Sequence, residues 1–396
     1  MKLEISSMPF PADRLMRGTR RTLRRAHETV GRITVARVVL SPILVIILSG
    51  CGAMSGPSLR CPDDPVAANA PTRTPDFSPH NNIPKGRVGS IPCPGPLTFF
   101  ATADPERLGS HSFGSGTLGG QKEADRGIIY TLHGGFIDIA HVRQVMDWTA
   151  FYQARFRHAL EQGWTCIRLP SREESGFRIG LRYPERWKGL PEPARQRVIA
   201  VLSIRLAQRL AITQSVWHEF ATGFGYSSTP YPEQPSAFTY DDMTSHLLGA
   251  KVAGLALQDS ANGFDAPATH YLKRELDRLG AVSPEQTLRA LGMVKGSWWK
   301  NGTVTRRQFD IGEQGGVIEP MIVPGFPDGR TENGYPFAIP SLRNVAGMDM
   351  SGFERVEIVP HMAAWDAMRK LLPGSPDVCR PEEHFPILLR HLRNGG

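Results

Sequence analysis

An apolar run of 11 residues, Val38–Leu48, constrains the fold of this chain more than any other feature. Arginine-rich sequence precedes the run, and Leu48-Ser49-Gly50-Cys51 ends it. A helix of that length is too short for a bilayer core of about 30 Å, which needs ~20 residues. A short apolar run between basic and small residues is typical of an export signal. The pattern therefore predicts that residues 1–50 are a signal peptide outside the fold.

The end of the apolar run resembles the lipobox of bacterial lipoproteins. There, small residues fit a signal peptidase and the cysteine thiol accepts a lipid. Cys51 is then the lipidation site and first residue of the mature chain, bound to a membrane through N-terminal acyl chains. Gly52 stands where an aspartate would resemble the inner-membrane retention signal. We therefore expect the periplasmic face of the outer membrane. An uncleaved anchor, or an ordinary buried cysteine, is the alternative.

The predicted signal peptide carries most of the net charge of +8, with nine basic residues against three acidic ones. The other 346 residues are therefore near +2, and we expect no nucleic-acid partner. That length suffices for one large domain or two ordinary ones. An even number of cysteines after Cys51 permits two disulfides in an oxidising compartment, although buried thiols are equally compatible. These cysteines are Cys61, Cys93, Cys166 and Cys379.

Residues 51–96 contain ten prolines and few large apolar residues. Such a composition cannot offset the entropy of folding by burial, and proline keeps a chain extended. We therefore expect residues 51–96 to be the acylated cysteine and a proline-rich tether, with one globular domain over residues 97–396.

Helical periodicity dominates residues 97–396, with short strands between the helices. The pattern predicts a strand at 127–132, a hairpin over 164–182, and strands at 316–323 and 356–359. Capping residues and apolar spacing predict helices at 136–161, 193–222, 239–257, 283–291 and 361–372. The predicted class is α+β, a mainly helical single domain with short strands.

Two of the predicted helices carry a histidine beside a carboxylate. Asp138 and His141 lie three residues apart on one face of the first helix, and could supply two metal ligands or an oriented general base. A plain hydrogen bond inside the core is the alternative. His218-Glu219 in the next helix resembles half of a zinc-protease motif, but Thr222 stands where the second histidine would be. His218 remains a candidate ligand, and Glu219 a candidate base for a bound water.

The loop before a third predicted helix is expected to return the chain alongside the second helix, and this brings Asp241, Asp242 and His246 there. Asp242 is also explained as a helix cap, and His246 as a polar residue near the surface. Side by side, the three helices would form a pocket for a divalent metal, zinc or iron. The proposed metal ligands are Asp138, His141, His218 and Asp242, with Glu219 as the catalytic base.

Four stretches of the sequence carry a family resemblance: TLHGGFIDIAHVR, WHEFATGFGYSS, PSAFTYDDMTSHLLGAKVA and FDIGEQGGVIEPMIVP. Over residues 97–360 the chain resembles an uncharacterised family of proteobacterial lipoproteins, catalogued only as a domain of unknown function. The resemblance implies an exported, lipid-anchored protein. It assigns no activity, so no functional residue is carried over from it.

Two functions fit these patterns. The first is a metal-dependent hydrolase of the cell envelope, which requires the candidate residues to converge beside an accessible pocket. The second is a non-catalytic envelope lipoprotein that docks an envelope protein or peptidoglycan, with the same residues sealed in a polar network or far apart. A serine hydrolase has less support, because Ser110-His111-Ser112 lacks the first glycine of a nucleophile elbow.

Overall fold

The structure, a computed structural model, describes residues 59, 61, 83–87, 89, 101–114, 126–227, 232–259 and 263–395. The predicted signal peptide, Cys51 and Cys93 lie outside these residues. Within the described part, seven helices and nine short strands form one α+β unit, which confirms the predicted class. None of these helices is long and apolar enough to cross a membrane.

The helices are α1 (Ile139–Glu161), α2 (Glu192–Gly223), α3 (Asp242–Gln258), α4 (Asp265–Leu279), α5 (Pro284–Met293), α6 (Ala364–Arg369) and α7 (Pro381–Arg393). The strands are β1 (Ile128–Thr131), β2 (Gly135–Asp138), β3 (Cys166–Pro170), β4 (Ser175–Leu181), β5 (Trp299–Lys300), β6 (Thr303–Val304), β7 (Val317–Ile318), β8 (Phe337–Ala338) and β9 (Glu354–Pro360). Strands β3, β4 and β9 form one antiparallel sheet in the order β3-β4-β9, and the other strands pair as β1-β2, β5-β6 and β7-β8.

Helices α1, α2 and α3 pack against one another and enclose the main hydrophobic core. Most of α1 is buried around its whole circumference, as expected for a helix inside a domain rather than on its surface. Strand β4 adds Phe177 and Ile179 to the same core. The polar groups near the start of α1 are therefore enclosed by helices on more than one side.

Helices α1 and α3 approach closely at Gly249. A Cβ atom at this position would collide with the carbonyl oxygen of Val142 and lie 2.9 Å from Val145 Cβ. Only glycine leaves room for two helix backbones at such a distance. His246 and Asp242 lie about one and two turns before Gly249. The crossing therefore carries both side chains toward the start of α1.

The predicted start of the first helix, Phe136, is wrong. Residues Gly135–Asp138 form strand β2, which pairs with β1 in the register Ile129↔Ile137. Gly135 allows the tight turn with φ of 70°. Asp138 is the N-cap of α1, so its side chain lies at the helix end and not on the helix face. Strand and helix meet inside one apolar run, where periodicity does not separate them.

Other element boundaries also differ from the predictions. Helices α4 and α7 were not predicted; α7 contains Pro386, a residue that normally argues against a helix interior. The strand predicted at 316–323 is limited to β7, because Pro320 and Pro324 cannot donate to a sheet. The helix predicted at 361–372 is shortened to α6. The hairpin and the helices α2, α3 and α5 are confirmed within a few residues.

Two attachments join the predicted tether to the domain. Cys61 forms a disulfide with Cys166 of β3, while Cys379 is a buried free thiol. Arg87 forms an ion pair of 2.8 Å with Asp147 of α1, and neither side chain is exposed. The composition of residues 51–96 did not predict these contacts, since both depend on partners far along the chain.

Candidate metal centre

Three side chains at the junction of β2, α1 and α3 place potential metal-ligand atoms within 4.8 Å of one another: Asp138, His141 and Asp241. The two carboxylates are fully buried, whereas the His141 side chain is 21 % exposed. The Asp138 Oδ1 atom caps α1 by accepting the Ala140 N–H at 2.8 Å. The Asp138 N–H donates to Ser245 Oγ at 2.9 Å, which ties β2 to α3.

The turn before α3 orients two consecutive carboxylates differently. Thr239 donates its hydroxyl to Asp241 Oδ1 at 2.8 Å, and its N–H to Asp242 Oδ2 at 2.5 Å. The second bond is one half of a capping box, in which a side chain three residues on accepts the N–H of the first residue. Asp241 Oδ2 is buried without a hydrogen-bond partner among the described residues. Asp241 therefore has one oxygen that fixes its position and one that is available to a ligand.

Asp242 faces the other side of the His141 ring. Its Oδ1 lies 3.3 Å from His141 Nδ1, an arrangement in which a carboxylate orients an imidazole and leaves Nε2 as the ligand atom. An ideal Cβ at Gly89 would lie 2.8 Å from His141 Nε2 and 3.3 Å from Asp138 Oδ2. These two ligand atoms therefore lie together, next to the backbone at residue 89.

The buried charges shift the ionisation of the cluster strongly. Burial, reinforced by the charges of Asp242 and Asp138, raises the pKa of Asp241 well above its ordinary value. Burial also disfavours the charged form of His141, but Asp138 and Asp242 outweigh it and raise the pKa to about 10. Burial would likewise raise the pKa of Asp242, yet its contact with His141 holds that pKa below the ordinary value. In the metal-free protein, protons therefore take up part of the negative charge.

The His246 ring lies beside that of His141, with 5.4 Å between the ring centroids. Burial, together with the charge of His141, lowers the pKa of His246 to about 3. Its buried Nδ1 has no hydrogen-bond partner in the described part of the chain. His246 is therefore a neutral member of the cluster, and not the surface residue that the sequence left open as an alternative.

The two adjacent candidates on α2 have separate environments. His218 Nδ1 lies 2.8 Å from Glu173 Oε1, and the imidazole is 17 % exposed. Glu219 is buried, and its Oε2 accepts the Phe238 N–H at 2.8 Å. Burial and the neighbouring Asp242 raise the pKa of Glu219 well above its ordinary value. Glu219 thus adjoins the cluster through Asp242, whereas His218 is held by Glu173.

Sequence reasoning named Asp138, His141 and Asp242 as ligands, and all three meet at the start of α1. It placed Asp241 beside Asp242 in the third helix but did not choose it as a ligand, because Asp242 carries the stronger capping signal. It also did not single out Glu173, which has φ of 55° in the β3–β4 turn. Positive φ is uncommon for a non-glycine residue, but it leaves no trace in the sequence.

The fold and this site together define an α+β domain with a buried histidine and carboxylate cluster. The chain belongs to the family described as "Protein of unknown function (DUF4056)", whose model matches residues 80–311. The resemblance to a domain of unknown function is thereby confirmed, and the matched region contains every residue of the cluster. No curated protein and no solved structure matches the chain.

Proposed function

We propose that this protein is a lipid-anchored lipoprotein of the outer membrane, and that its domain is a metal-dependent hydrolase. Asp138, His141 and Asp241 would bind one divalent metal ion, zinc or iron. The observation that carries the proposal is the convergence of their ligand atoms within 4.8 Å, with Asp241 Oδ2 buried and unpaired in the described part of the chain. A buried carboxylate oxygen without a partner is costly, and a cation would remove that cost.

The charge balance of the cluster supports a cation. Asp138, Asp241, Asp242 and Glu219 are all buried, and the adjacent His141 has a pKa raised to about 10. Metal ligands bind in their deprotonated forms, so a metal ion would displace the protons that Asp241 and His141 hold. Asp242 would keep Nδ1 of His141 occupied and direct Nε2 toward the ion, as carboxylates beside metal-bound histidines do.

Two groups are candidates for proton transfer in hydrolysis. Glu219 remains in the proposal as the acid–base residue, since burial and the neighbouring Asp242 raise its pKa well above the ordinary value and so favour its protonated form. His218 was proposed from the sequence as a metal ligand, but its contact with Glu173 favours a role as a general base instead. A carboxylate at Nδ1 fixes the tautomer of an imidazole and leaves Nε2 free to accept a proton.

Burial favours the alternative, a non-catalytic lipoprotein in which these groups form a structural network. Asp138, Asp241 and Glu219 are almost inaccessible, and a cavity of about 370 Å³ beside α2 is lined by other residues. The two functions differ in metal content. A structural network needs no ion, whereas the hydrolase requires one.

Metal analysis of the full mature chain, purified without chelator, tests the metal centre. We expect close to one zinc or iron per chain in the wild type and a large loss in His141→Ala and Asp241→Asn. His270→Ala is the matched control, because His270 is exposed on α4. A folded, metal-free wild type would refute the proposal, as would retention of metal in both site variants.

The lipid anchor is tested separately. Mass spectrometry of the membrane fraction should recover a diacylated N-terminal peptide beginning at Cys51, and Cys51→Ser should remain unprocessed. An unmodified, uncleaved N-terminus in the wild type would exclude the lipoprotein assignment. It would leave the metal centre unaffected, since no residue of that centre lies near Cys51 in sequence.

A further inference from the structure

The chain around Gly89 contacts the candidate metal centre directly. A side chain at this position would begin 2.8 Å from His141 Nε2, the atom proposed to bind metal. Asp138 and Asp241 are fully buried, while His141 keeps partial exposure. The backbone at residue 89 therefore borders the approach to His141 Nε2.

Two residues before Gly89, the same segment is fastened to α1. The Arg87 guanidinium donates to Asp147 Oδ2 from Nε at 3.1 Å and from Nη2 at 2.8 Å, and neither side chain is exposed. The Arg87 N–H donates to Gln144 Oε1 at 2.6 Å, and a further bond of 3.0 Å joins Nη2 to the Ser112 carbonyl oxygen. Two charge-assisted hydrogen bonds from one guanidinium to a single buried carboxylate oxygen, together with the bonds to Gln144 and Ser112, fix the position of Arg87.

These contacts follow one face of α1. His141, Gln144 and Asp147 are spaced three residues apart, so they lie along one side of the helix over about 9 Å. Arg87 contacts the last two, and Gly89 contacts the first. The segment thus runs along α1 toward its N-terminus and ends over the cluster.

Asp147 has a second buried partner besides Arg87. His111 Nε2 lies 3.0 Å from Asp147 Oδ1, on the side of the carboxylate opposite the guanidinium, and both side chains are buried. Without Arg87, a buried carboxylate would lose its main counter-charge, so the contact is strongly favoured once the segment is in place.

We propose that residues 83–87 and 89 belong to a strap that closes the metal centre, in which Arg87 holds the strap to Asp147 and Gly89 covers His141. This inference rests on the proposed function, because the strap would control access to the proposed metal ion. The strap lies within the segment that would connect the domain to Cys51. Displacement of the strap would open the centre while the three-helix core stays folded.

The test measures how accessible His141 is in metal-free protein. Hydroxyl-radical footprinting oxidises solvent-accessible histidine rings whether or not they are protonated, and peptide mass spectrometry reports the modification rate at His141. We expect modification severalfold faster in Arg87→Met than in the wild type, because the His141 ring, which is 21 % exposed in the closed protein, is uncovered when the buried pair no longer holds the strap. Lys85→Met is the matched control, since Lys85 is an exposed basic residue of the same strap.

A second variant keeps the test decisive if Arg87→Met does not fold. Gln144→Leu removes the acceptor of the Arg87 N–H and leaves the ion pair in place, so we expect a smaller increase in the same direction. Wild-type modification rates in a folded Arg87→Met or Gln144→Leu protein would overturn the strap.

Zinc exchange then separates the strap from the metal centre. In protein loaded with zinc, loss of the ion to excess chelator should be faster in Arg87→Met, whereas Lys85→Met should match the wild type. Equal rates of zinc loss in the wild type and Arg87→Met would refute the strap. If the wild type binds no zinc or iron, the proposed function fails, and the His141 modification rates still decide whether the strap covers the site.

Discussion

Replacing Gly249 by alanine should destabilise the protein, although alanine is the better helix former. In an open helix position the exchange stabilises by about 1 kcal/mol. At Gly249 the new Cβ would collide with the Val142 carbonyl oxygen and approach Val145 Cβ to 2.9 Å. Both neighbours belong to a buried helix, so the helices must separate, and overpacking of this kind costs roughly 1–3 kcal/mol. After the gain in helix propensity is subtracted, we therefore expect a net loss of up to about 2 kcal/mol.

Urea unfolding followed by circular dichroism measures this difference, with Gly292→Ala as the control. Gly292 lies in α5, and a Cβ there has no neighbour within 4 Å. The same substitution should therefore be neutral or stabilising by up to about 1 kcal/mol. Because α3 also carries Asp242 and His246, Gly249→Ala should in addition weaken metal binding. If Gly249→Ala were as stable as Gly292→Ala, the close crossing of α1 and α3 would be wrong.

Two further predictions concern stability in solution. In metal-free protein, folding raises the pKa of His141 from 6.5 to about 10, which corresponds to about 5 kcal/mol, or about 3 kcal/mol allowing for its partial exposure. The stability lost in His141→Gln should therefore be greatest below pH 6.5 and shrink as the pH approaches 10; a constant difference, like that of His270→Gln, would contradict this. The Cys61–Cys166 disulfide joins residues 105 apart, so Cys61→Ser should lower the free energy of unfolding by roughly 2–5 kcal/mol, and a reductant should act on the wild type alone.

The sequence predicted which kinds of residue form the site, but it did not predict every residue that belongs to it. Helix caps and periodicity located α2 and α3, and the pairing of histidines with carboxylates drew attention to His141 and Asp242. Local patterns did not identify Asp241, because the choice between two adjacent aspartates depends on how Thr239 turns the chain. They did not identify Glu173 either, since its contact with His218 joins a hairpin turn to a distant helix.

The sequence by itself determined the α+β class, the positions of most helices and the polar residues able to form a metal centre. These features depend on interactions between residues a few positions apart, which periodicity and capping record. Only the tertiary structure decided that α3 crosses α1 at Gly249, that Asp241 completes the cluster, and that the segment at Arg87 and Gly89 lies over it. Each of these depends on packing between segments far apart in the chain, where the geometry of the backbone and not the residue type selects the partner.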